Sequence, residues 1–254
     1  MKSIVVIPAR MGSSRFPGKP LKKILGIPMI EHCYRRACLS KAVEKVFVAT
    51  CDLLIKEYVE SIGGNVIMTS SKHKRASTRT EEAVSILKNN LNLNPNVVVM
   101  LQGDEPLIRP DSISDLINNF NSKNIQILNL IAPIKTKEQF FDKNNVKVVF
   151  DKNKKALYFS REPIPSPWIY ENIEQKYMQI GVMAFTYSSL RAFNELEESS
   201  LEIYESVDMN RVIENGGKIN LSTINYEMLG VDTQNDLENV QVIMKKDPIL
   251  KLYI

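Results

Sequence analysis

A loop near the start of the chain concentrates cations and glycines. Residues 9–20 read ARMGSSRFPGKP and directly follow a short apolar run. Arginine, lysine and the closely approaching backbone of glycine are groups that bind phosphate oxygens. The spacing excludes a dinucleotide fingerprint and a P-loop, because five residues separate Gly12 from Gly18 and Pro20 stands where a P-loop has Ser or Thr. The loop therefore predicts a phosphate site, although a solvated basic loop has the same composition.

Two aspartates follow apolar segments further along the chain. Asp104 lies in the run LQGDEP and Asp232 in the run GVDT. Mg2+ binds one or two carboxylates together with phosphate oxygens, so both aspartates are candidate metal ligands. A turn or helix cap is the alternative for each: Asp111 suits that role better than Asp104, whereas Asp232 is well placed to cap a helix over Thr233–Lys246. With the basic loop, the two aspartates are typical of phosphoryl or nucleotidyl transfer.

Two further carboxylates lie on a predicted helix. The apolar periodicity predicts one helix over Leu201–Gly216, on which Glu205 and Asp208 fall within about 60° of each other. Carboxylates on a partly apolar face are costly unless they are paired. Arg211 is spaced to pair with Asp208 within the helix, and contact with a hydroxylated ligand is the other interpretation.

The elements that must position these groups alternate along the first half of the chain. Apolar β-branched runs predict strands, and the amphipathic segments between them predict helices. This alternation indicates an α/β protein with a largely parallel sheet, in which ligands bind beyond the carboxyl ends of the strands. The predicted strands are Ser3–Pro8, Lys45–Thr50, Asn65–Ser70, Asn96–Gln102 and Ile125–Ile134, and the predicted helices are Met29–Ser40, Asp52–Ile62, Arg79–Asn90 and Pro110–Ser122.

The second half of the chain is less regular. Its pattern predicts a hairpin formed by Val146–Asp151 and Lys155–Arg161, followed by strands Gln179–Thr186 and Ile219–Ile224. The proline-rich segment Pro163–Trp168 is a stiff loop that either closes over a ligand or makes a dimer contact. We predict a single domain over residues 1–254, with residues 146–200 as a hairpin and loop subregion.

Composition excludes several classes of protein. The 254 residues are 44% hydrophobic and 24% charged, which is typical of a globular protein. The net charge of +4 suits a phosphorylated small molecule better than a nucleic acid. No apolar run approaches the roughly 20 residues of a membrane span. Three cysteines without a C-x-x-C pair, and a strand where a signal peptide would stand, predict a reduced cytoplasmic protein.

Over nearly its full length the chain resembles the 3-deoxy-D-manno-octulosonate (Kdo) cytidylyltransferases, or CMP-Kdo synthetases. The matching runs are IPARMGSSRFPGKPL, VFVAT, QGDEPLI, NNVKVVFD, ALYFSREPIP and GVDTQNDLENV. The resemblance implies a Rossmann-like, three-layer α/β/α nucleotidyltransferase fold of the GT-A-like type, with a mostly parallel sheet and an embellished second half. It also implies Mg2+ as cofactor, a homodimer and a role in lipopolysaccharide biosynthesis. The implied reaction joins the anomeric hydroxyl of an acidic sugar to the α-phosphorus of CTP and releases pyrophosphate.

The resemblance also implies roles for individual residues. Arg10 and Lys19 match triphosphate-binding cations, and with Asp104 they would be the catalytic residues. The implied nucleotide site contains Ala9, Arg10, Gly12, Arg15, Lys19, Ser77 and Arg79, and the implied metal ligands are Asp104 and Asp232. The implied sugar site contains Gln102, Arg161, Gln179, Met183 and Glu205, to which the helix pattern adds Asp208.

The chain departs from the family pattern at the implied sugar site. Gln179 and Met183 replace a histidine and a tyrosine that face the sugar in the family, and Met183 has no donor for a sugar hydroxyl. Because lost hydrogen bonds change selectivity strongly, the 8-amino derivative of Kdo or another acidic sugar is an alternative substrate. Arg75 adds a cation that either meets an acidic group or is simply exposed. A non-catalytic nucleotide-binding protein and a transferase that uses UTP are further alternatives.

Overall fold

The strands and helices follow the predicted alternation. A computed structural model describes residues 2–13, 16–122, 126–168 and 175–254, without the side chains of residues 121 and 122. The strands are β1 (Ser3–Pro8), β2 (Lys23–Ile24), β3 (Ile27–Pro28), β4 (Lys45–Thr50), β5 (Asn65–Met68), β6 (Val97–Leu101), β7 (Ile127–Pro133), β8 (Lys147–Phe150), β9 (Ala156–Ser160), β10 (Tyr177–Phe185) and β11 (Asn220–Thr223). Ile125, where the fifth predicted strand begins, lies outside the described residues.

Helices connect most of these strands. They are α1 (Met29–Cys38), α2 (Leu53–Ser61), α3 (Ala76–Leu91), α4 (Pro110–Ser122), α5 (Lys137–Phe141), α6 (Tyr187–Glu195), α7 (Ser200–Glu205), α8 (Met209–Glu214) and α9 (Gln234–Met244), and short 3-10 helices span Lys19–Leu21 and Pro248–Leu252. In the described part of the chain, no helix is both long and apolar enough to cross a membrane.

The main sheet is mostly parallel, as the sequence predicts. Its central order is β11-β7-β10-β6-β1-β4-β5, and the hairpin of β8 and β9 joins it through β10. β1 pairs in parallel with both β4 and β6, whereas β10 runs antiparallel between β6 and β7. The carboxyl ends of β1, β4 and β6 therefore lie along one edge, which is where a ligand site is expected.

Two apolar layers hold the helices against the sheet. Alternate residues of a strand point to opposite faces, so Val5 and Ile7 belong to one layer while Ile4 and Val6 belong to the other. All four side chains are fully buried, which explains why the strand is a continuous apolar run. The result is the three-layer α/β/α architecture that the sequence resemblance implies, and this prediction of the fold class is confirmed.

The predicted single helix over Leu201–Gly216 is wrong. The chain forms α7 and α8 instead, and Ser206 between them adopts a left-handed conformation with φ of +52°. The break removes the shared helical face on which Glu205 and Asp208 were expected. The short helix α6, which begins at the N-cap Thr186, was not predicted, although Leu190 and Phe193 have the spacing of a buried helical face.

Candidate active site

The glycine-rich loop turns sharply after β1. The backbone N–H of Gly18 donates to the carbonyl of Met11 at 3.1 Å, which brings the two ends of the loop together. Gly18 has a φ of +70°, a left-handed conformation that glycine adopts readily, and it directly precedes the 3-10 helix that carries Lys19. Arg15 lies outside the described residues. Gly12 is exposed on this loop and does not line the cavities described below.

Asp52 fixes this loop to the neighbouring strand, a role that the sequence analysis missed. Its Oδ2 accepts a hydrogen bond from the backbone N–H of Met11 at 2.9 Å, and its own N–H donates to the hydroxyl of Thr50 at 3.1 Å. Because β4 lies beside β1, an acidic residue just beyond β4 can reach the loop after β1. The position of Asp52 at a strand end was the available signal.

Lys19 lies between the two predicted metal ligands. Its Nζ is 2.6 Å from Asp104 Oδ2 and 3.1 Å from Asp232 Oδ1. Burial on its own would lower the pKa of Lys19, but the two carboxylates outweigh this effect and the pKa lies above its ordinary value. The structure thus brings together three residues that are separated by up to 213 positions in the sequence.

The carboxylate of Asp232 is not the N-cap of α9, which was the alternative explanation for it, although the backbone N–H of Asp232 donates to Asp236 Oδ2 at 3.0 Å. Thr233 is the N-cap: its hydroxyl accepts from the backbone N–H of Asp236, and the Asp236 carboxylate accepts from the backbone N–H of Thr233. This reciprocal capping box satisfies the helix terminus. The carboxylate of Asp232 therefore contacts Lys19 instead of the end of its own helix.

The two carboxylates fit a divalent cation. Asp104 and Asp232 already surround one cationic group, the ammonium of Lys19. Among the described residues, no cluster of three or more His, Cys, Asp or Glu side chains could hold a metal. Two carboxylates with phosphate oxygens and water completing the coordination are a common arrangement for Mg2+. The donor set is thus compatible with Mg2+ bound together with a phosphorylated ligand.

A first cavity, of about 260 Å³, opens beside the loop after β1. Ala9, Arg10 and Lys19 line it from one side, and Arg79 lines it from α3. Two further lining residues that the sequence analysis did not assign to a site are the cation Lys74 and the imidazole of His73. Arg79 is almost fully buried, and its Nη2 has no hydrogen-bond partner among the described residues. Ser77 lies in the first turn of α3 but is not a lining residue. The concentration of cations suits a polyphosphate.

A second cavity, of about 470 Å³, adjoins the first. The residues that line both cavities are Arg10, Lys74, Arg75, Ala76, Gln102, Asp104 and Asp232. The second cavity also contains Arg161, Gln179, Met183 and Asp208 from the predicted sugar site. In contrast to the first cavity, it is rich in carboxylates, since Glu105, Asp142 and Asp236 also line it.

A bulge in β10 shapes one wall of the second cavity. The pairing register of β10 with β7 shifts between Gln179 and Met183. The buried Asn129 fills this irregularity: its amide nitrogen donates to the carbonyls of Ile180 and Val182 at 2.9 and 3.1 Å. Its Oδ1 accepts from Gln179 Nε2 at 2.7 Å, which fixes the amide of Gln179. Met183 lies at the end of the bulge and is 2% exposed.

Glu105, in the turn after β6, supports the same bulge. It is 7% exposed, and its Oε1 accepts from the backbone N–H of Gly181 at 2.8 Å, while its Oε2 has no partner among the described residues. Burial and the neighbouring Asp104 raise the pKa of Glu105 to about 8. The sequence analysis noted the acidic pair after β6 but assigned no role to its second member.

Arg161 and Glu205 are joined by hydrogen bonds in which each side chain contacts the backbone of the other. Glu205 accepts from the hydroxyls of Tyr158 and Ser160 at 2.7 and 2.8 Å and from the backbone N–H of Arg161 at 2.8 Å. The structure does not place Glu205 among the residues lining either cavity. Arg161 lines the second cavity, where its guanidinium donates to the carbonyls of Lys143, Glu205 and Ser206. Glu205 therefore supports the site from outside it.

Arg211 does not pair with Asp208 as the sequence spacing allowed. Its Nε and Nη2 each donate to the buried carboxylate of Glu202 at 2.6 Å. Asp208 instead lines the second cavity, and burial raises its pKa although Arg75 opposes this effect. The ligand-contact interpretation of Asp208 fits this position better than the internal ion pair.

Lys147 anchors the segments around Arg161. Its ammonium donates to the carbonyls of Asp142, Asn145 and Arg161 at 2.8, 2.8 and 2.5 Å. The residue is fully buried, and this burial lowers its pKa to about 8. A buried lysine whose ammonium binds only carbonyl groups could not be inferred from the pattern of β8.

A cation-rich cavity and a carboxylate pair at the edge of an α/β/α sheet define a nucleotidyltransferase. Comparisons with known proteins agree. A family model described as cytidylyltransferase matches residues 4–219. A 3-deoxy-manno-octulosonate cytidylyltransferase of Thermodesulfovibrio yellowstonii is 45% identical over 245 residues, covering 94% of this chain and 96% of that protein. An 8-amino-3,8-dideoxy-manno-octulosonate cytidylyltransferase of Shewanella pealeana is 41% identical over 239 residues, covering 93% and 96%.

A solved structure is similar as well. CMP:2-keto-3-deoxy-manno-octonic acid synthetase complexed with CTP superposes with a TM-score of 0.86 and 35% identity, covering 97% of this chain and 99% of that chain. The chain therefore belongs to the cytidylyltransferase family that these Kdo and 8-amino-Kdo enzymes represent. The predictions of the family and of the class of enzyme are confirmed.

Proposed function

We propose that the protein transfers the cytidylyl group of CTP to Kdo or to its 8-amino derivative, with Mg2+ as cofactor. The observation that carries the proposal is the position of Asp104 and Asp232 at the junction of the two cavities, with Lys19 of the first cavity bound between them. The cation-rich first cavity suits CTP, and the second cavity suits a polyhydroxylated sugar. The names of the relatives support both sugars.

The reaction exchanges one P–O bond for another. The oxygen of the sugar's anomeric hydroxyl bonds to the α-phosphorus and its proton passes to water, while the bond from that phosphorus to the bridging oxygen of pyrophosphate breaks. Arg10, Lys19 and Lys74 neutralise the charge of the triphosphate, and Asp208 accepts a hydrogen bond from a sugar hydroxyl. A magnesium ion held by Asp104 and Asp232 would supply further neutralisation of the phosphate charge. Catalysis then consists of positioning and charge stabilisation, with no covalent enzyme intermediate.

The 8-amino derivative is the second candidate, and the bulge of β10 favours it. Gln179 has its amide fixed by Asn129, and the neighbouring Met183 offers no hydrogen-bond donor. This wall of the second cavity thus lacks the histidine and tyrosine that the resemblance leads one to expect for plain Kdo. Such a change in the wall suits a sugar whose polar groups differ from those of Kdo, as in the 8-amino derivative.

One experiment tests both candidates. Pyrophosphate release is measured with CTP and Mg2+ against Kdo, 8-amino-Kdo and sialic acid in parallel, and again with UTP or with EDTA. We expect release with one of the first two sugars, dependent on CTP and on the metal. Release with UTP alone would contradict the choice of nucleotide. Binding of CTP without turnover of any acid would indicate a non-catalytic nucleotide-binding protein.

We further propose a cytoplasmic homodimer that serves lipopolysaccharide biosynthesis, as the family resemblance implies. The irregular second half offers exposed apolar side chains for such a contact, among them Leu157 and Trp168. Light scattering coupled to size-exclusion chromatography tests this assembly, for which the expected mass is twice 28.9 kDa. A monomeric mass at micromolar concentration would contradict it.

A further inference from the structure

Arg75 occupies the boundary between the two cavities. It directly precedes α3 and lines both the first and the second cavity. Its side chain is 31% exposed, so it is partly buried in the cavity wall. Arg75 is therefore not simply an exposed residue of a basic loop, which was one of the two interpretations from the sequence.

The known partners of Arg75 leave part of its guanidinium available. Nη2 lies 3.2 Å from Glu198 and 3.2 Å from Glu202. Its Nε and Nη1 have no hydrogen-bond partner among the described residues. Glu202 does not depend on Arg75 for its charge balance, because Arg211 binds both of its oxygens. Arg75 is thus held in place by carboxylates while keeping donors for a ligand.

The second cavity needs a cation that an acidic sugar can reach. The carboxylates of Asp104, Asp142, Asp208, Asp232 and Asp236 line it and oppose the entry of an anion. Arg161 lines the same cavity, but its Nε, Nη1 and Nη2 each donate to a backbone carbonyl. Arg10, Lys74 and Arg75 all line both cavities, and the proposed function uses Arg10 and Lys74 for the triphosphate of CTP. Arg75 differs in its surroundings, because its charge acts on Asp208, which lines only the second cavity.

We propose that Arg75 binds the carboxylate of the acidic sugar and thereby helps to select the sugar substrate. Arginine presents paired N–H groups that match the two oxygens of a carboxylate. Asp208 lines the same cavity and accepts hydrogen bonds from hydroxyl groups of the sugar, so that Arg75 binds the acid and Asp208 binds the polyol. The inference rests on the proposed function, since it assumes an acidic sugar in the second cavity.

The test replaces Arg75 by serine, a small polar residue without the charge and the paired N–H groups of arginine. Arg75→Ser should raise the KM for the sugar acid roughly 10- to 100-fold, the range for a hydrogen bond to a charged group, while the KM for CTP changes less than about twofold. Arg75→Lys should restore part of the affinity. Lys72→Ser is the matched control, because Lys72 is an exposed cation of the same loop that lines neither cavity. CTP binding measured by calorimetry confirms that each variant is folded.

A second measurement distinguishes a contact with the carboxylate from a structural role. The carboxamide analogue of the sugar acid is compared with the acid as a ligand of the unaltered protein and of Arg75→Ser. The unaltered protein should bind the carboxamide roughly 10- to 100-fold less tightly than the acid, and the variant should hardly discriminate between them. Equal discrimination by both proteins would overturn the inference.

These measurements distinguish a failure of the inference from a failure of the proposed function. Turnover by the unaltered protein with an unchanged sugar KM in Arg75→Ser would contradict the inference alone. A raised KM for CTP with an unchanged KM for the sugar would assign Arg75 to the triphosphate and would also overturn it. Absence of both turnover and sugar-acid binding in the unaltered protein would contradict the proposed function and the inference that rests on it.

Discussion

The two cavities share a wall but are built differently. The first is lined by side chains from loops that directly follow parallel strands, as Arg10 follows β1. The second is lined largely by the irregular part of the chain, in which a buried lysine and a partly exposed arginine hold backbone carbonyls in place. Lys147 does so for three carbonyls and Arg161 for three others.

The two cavities thus differ in which groups fix the geometry of the site and which groups are left to bind the ligand. In the first cavity the parallel sheet supplies the geometry, so cationic side chains are left to bind a polyphosphate. In the second cavity cationic side chains supply the geometry themselves, and carboxylates and amides are left to contact the ligand. Substitutions should therefore affect turnover most at the junction of the cavities and stability most in the second half.

The largest expected effect is on turnover. Asp104→Asn removes one of the two carboxylates that converge on Lys19, and with it one of the two proposed ligands of Mg2+. We expect kcat to fall roughly 10³-fold, as for the loss of several kcal/mol of charge stabilisation, with thermal denaturation showing an intact fold.

The matched control for this substitution is Asp111→Asn. Asp111 is exposed in the first turn of α4 and lines neither cavity, so its variant should keep kcat within about twofold. Near-native kcat of Asp104→Asn at saturating Mg2+ would show that Asp104 is not a metal ligand.

The next largest effect is on stability in the second half. Arg211→Met leaves the fully buried carboxylate of Glu202 with only Arg75 at 3.2 Å and the backbone N–H of Ser199 at 3.4 Å. We expect the free energy of unfolding in urea to fall by about 3–4 kcal/mol, because an incompletely compensated charge stays buried.

An exposed arginine provides the comparison. Arg191 pairs with Glu195 on the surface of α6, where both side chains are more than 60% exposed. Arg191→Met should lower the free energy of unfolding far less than Arg211→Met does, since solvent screens such exposed pairs. An equal loss of unfolding free energy in the two variants would show that water or another group readily compensates the charge of Glu202. The second half would then not depend on the Arg211–Glu202 pair.

Sequence reasoning succeeded where strand ends alone determine position. Asp104 and Asp232 were candidate ligands because each follows an apolar segment, and the structure brings both to Lys19. The regular elements of the first half also lie within a few residues of the predicted bounds. Hydrophobic periodicity determines these features locally, and the parallel sheet converts them into a shared edge.

The same reasoning failed where long-range bonds override periodicity. The break between α7 and α8 occurs at Ser206, and the side chain of Arg161 satisfies the carbonyls of Glu205 and Ser206 that the interrupted helix leaves exposed. No local pattern encodes a partner 45 residues away. The roles of individual site residues stay predictions. Substitutions of Gly181 and Glu205 test features near the second cavity that hydrophobic periodicity could not predict.

A smaller effect is expected from the bulge of β10. A Cβ at Gly181 would lie 2.9 Å from Glu105 Oε1 and 3.0 Å from Gln102 Cδ, both of which line the second cavity. Gly181→Ala should lower the free energy of unfolding by about 1–3 kcal/mol through overpacking, and should raise the KM for the sugar without changing that for CTP.

Gly230→Ala is the control, because its nearest neighbour would be the Asp104 carbonyl at 3.7 Å, an ordinary contact. Its stability should stay close to that of the unaltered protein. If Gly181→Ala is equally stable and binds the sugar normally, the bulge can move, and the second cavity is less rigid than the comparison with the first implies.

The smallest effect concerns pH and tests whether Glu205 is a support rather than a ligand. Burial would raise the pKa of Glu205, but the hydroxyls of Tyr158 and Ser160, the N–H of Arg161 and the Arg161 charge outweigh it, so the pKa lies below its ordinary value of 4.5. A carboxyl with a lowered pKa stabilises the fold fully above pH 4.5, and this contribution disappears as the pH falls through the lowered value.

Glu205→Gln should therefore cost about 1 kcal/mol at pH 7, a value reduced by solvent at this partly exposed site. The difference in unfolding free energy from the unaltered protein should shrink as the pH falls below 4.5. Glu238→Gln, an exposed control on α9, should cost little at either pH. Because Glu205 lies outside both cavities, the KM for the sugar should rise only through displacement of Arg161. A large loss of sugar binding with unchanged stability would instead make Glu205 a direct sugar contact.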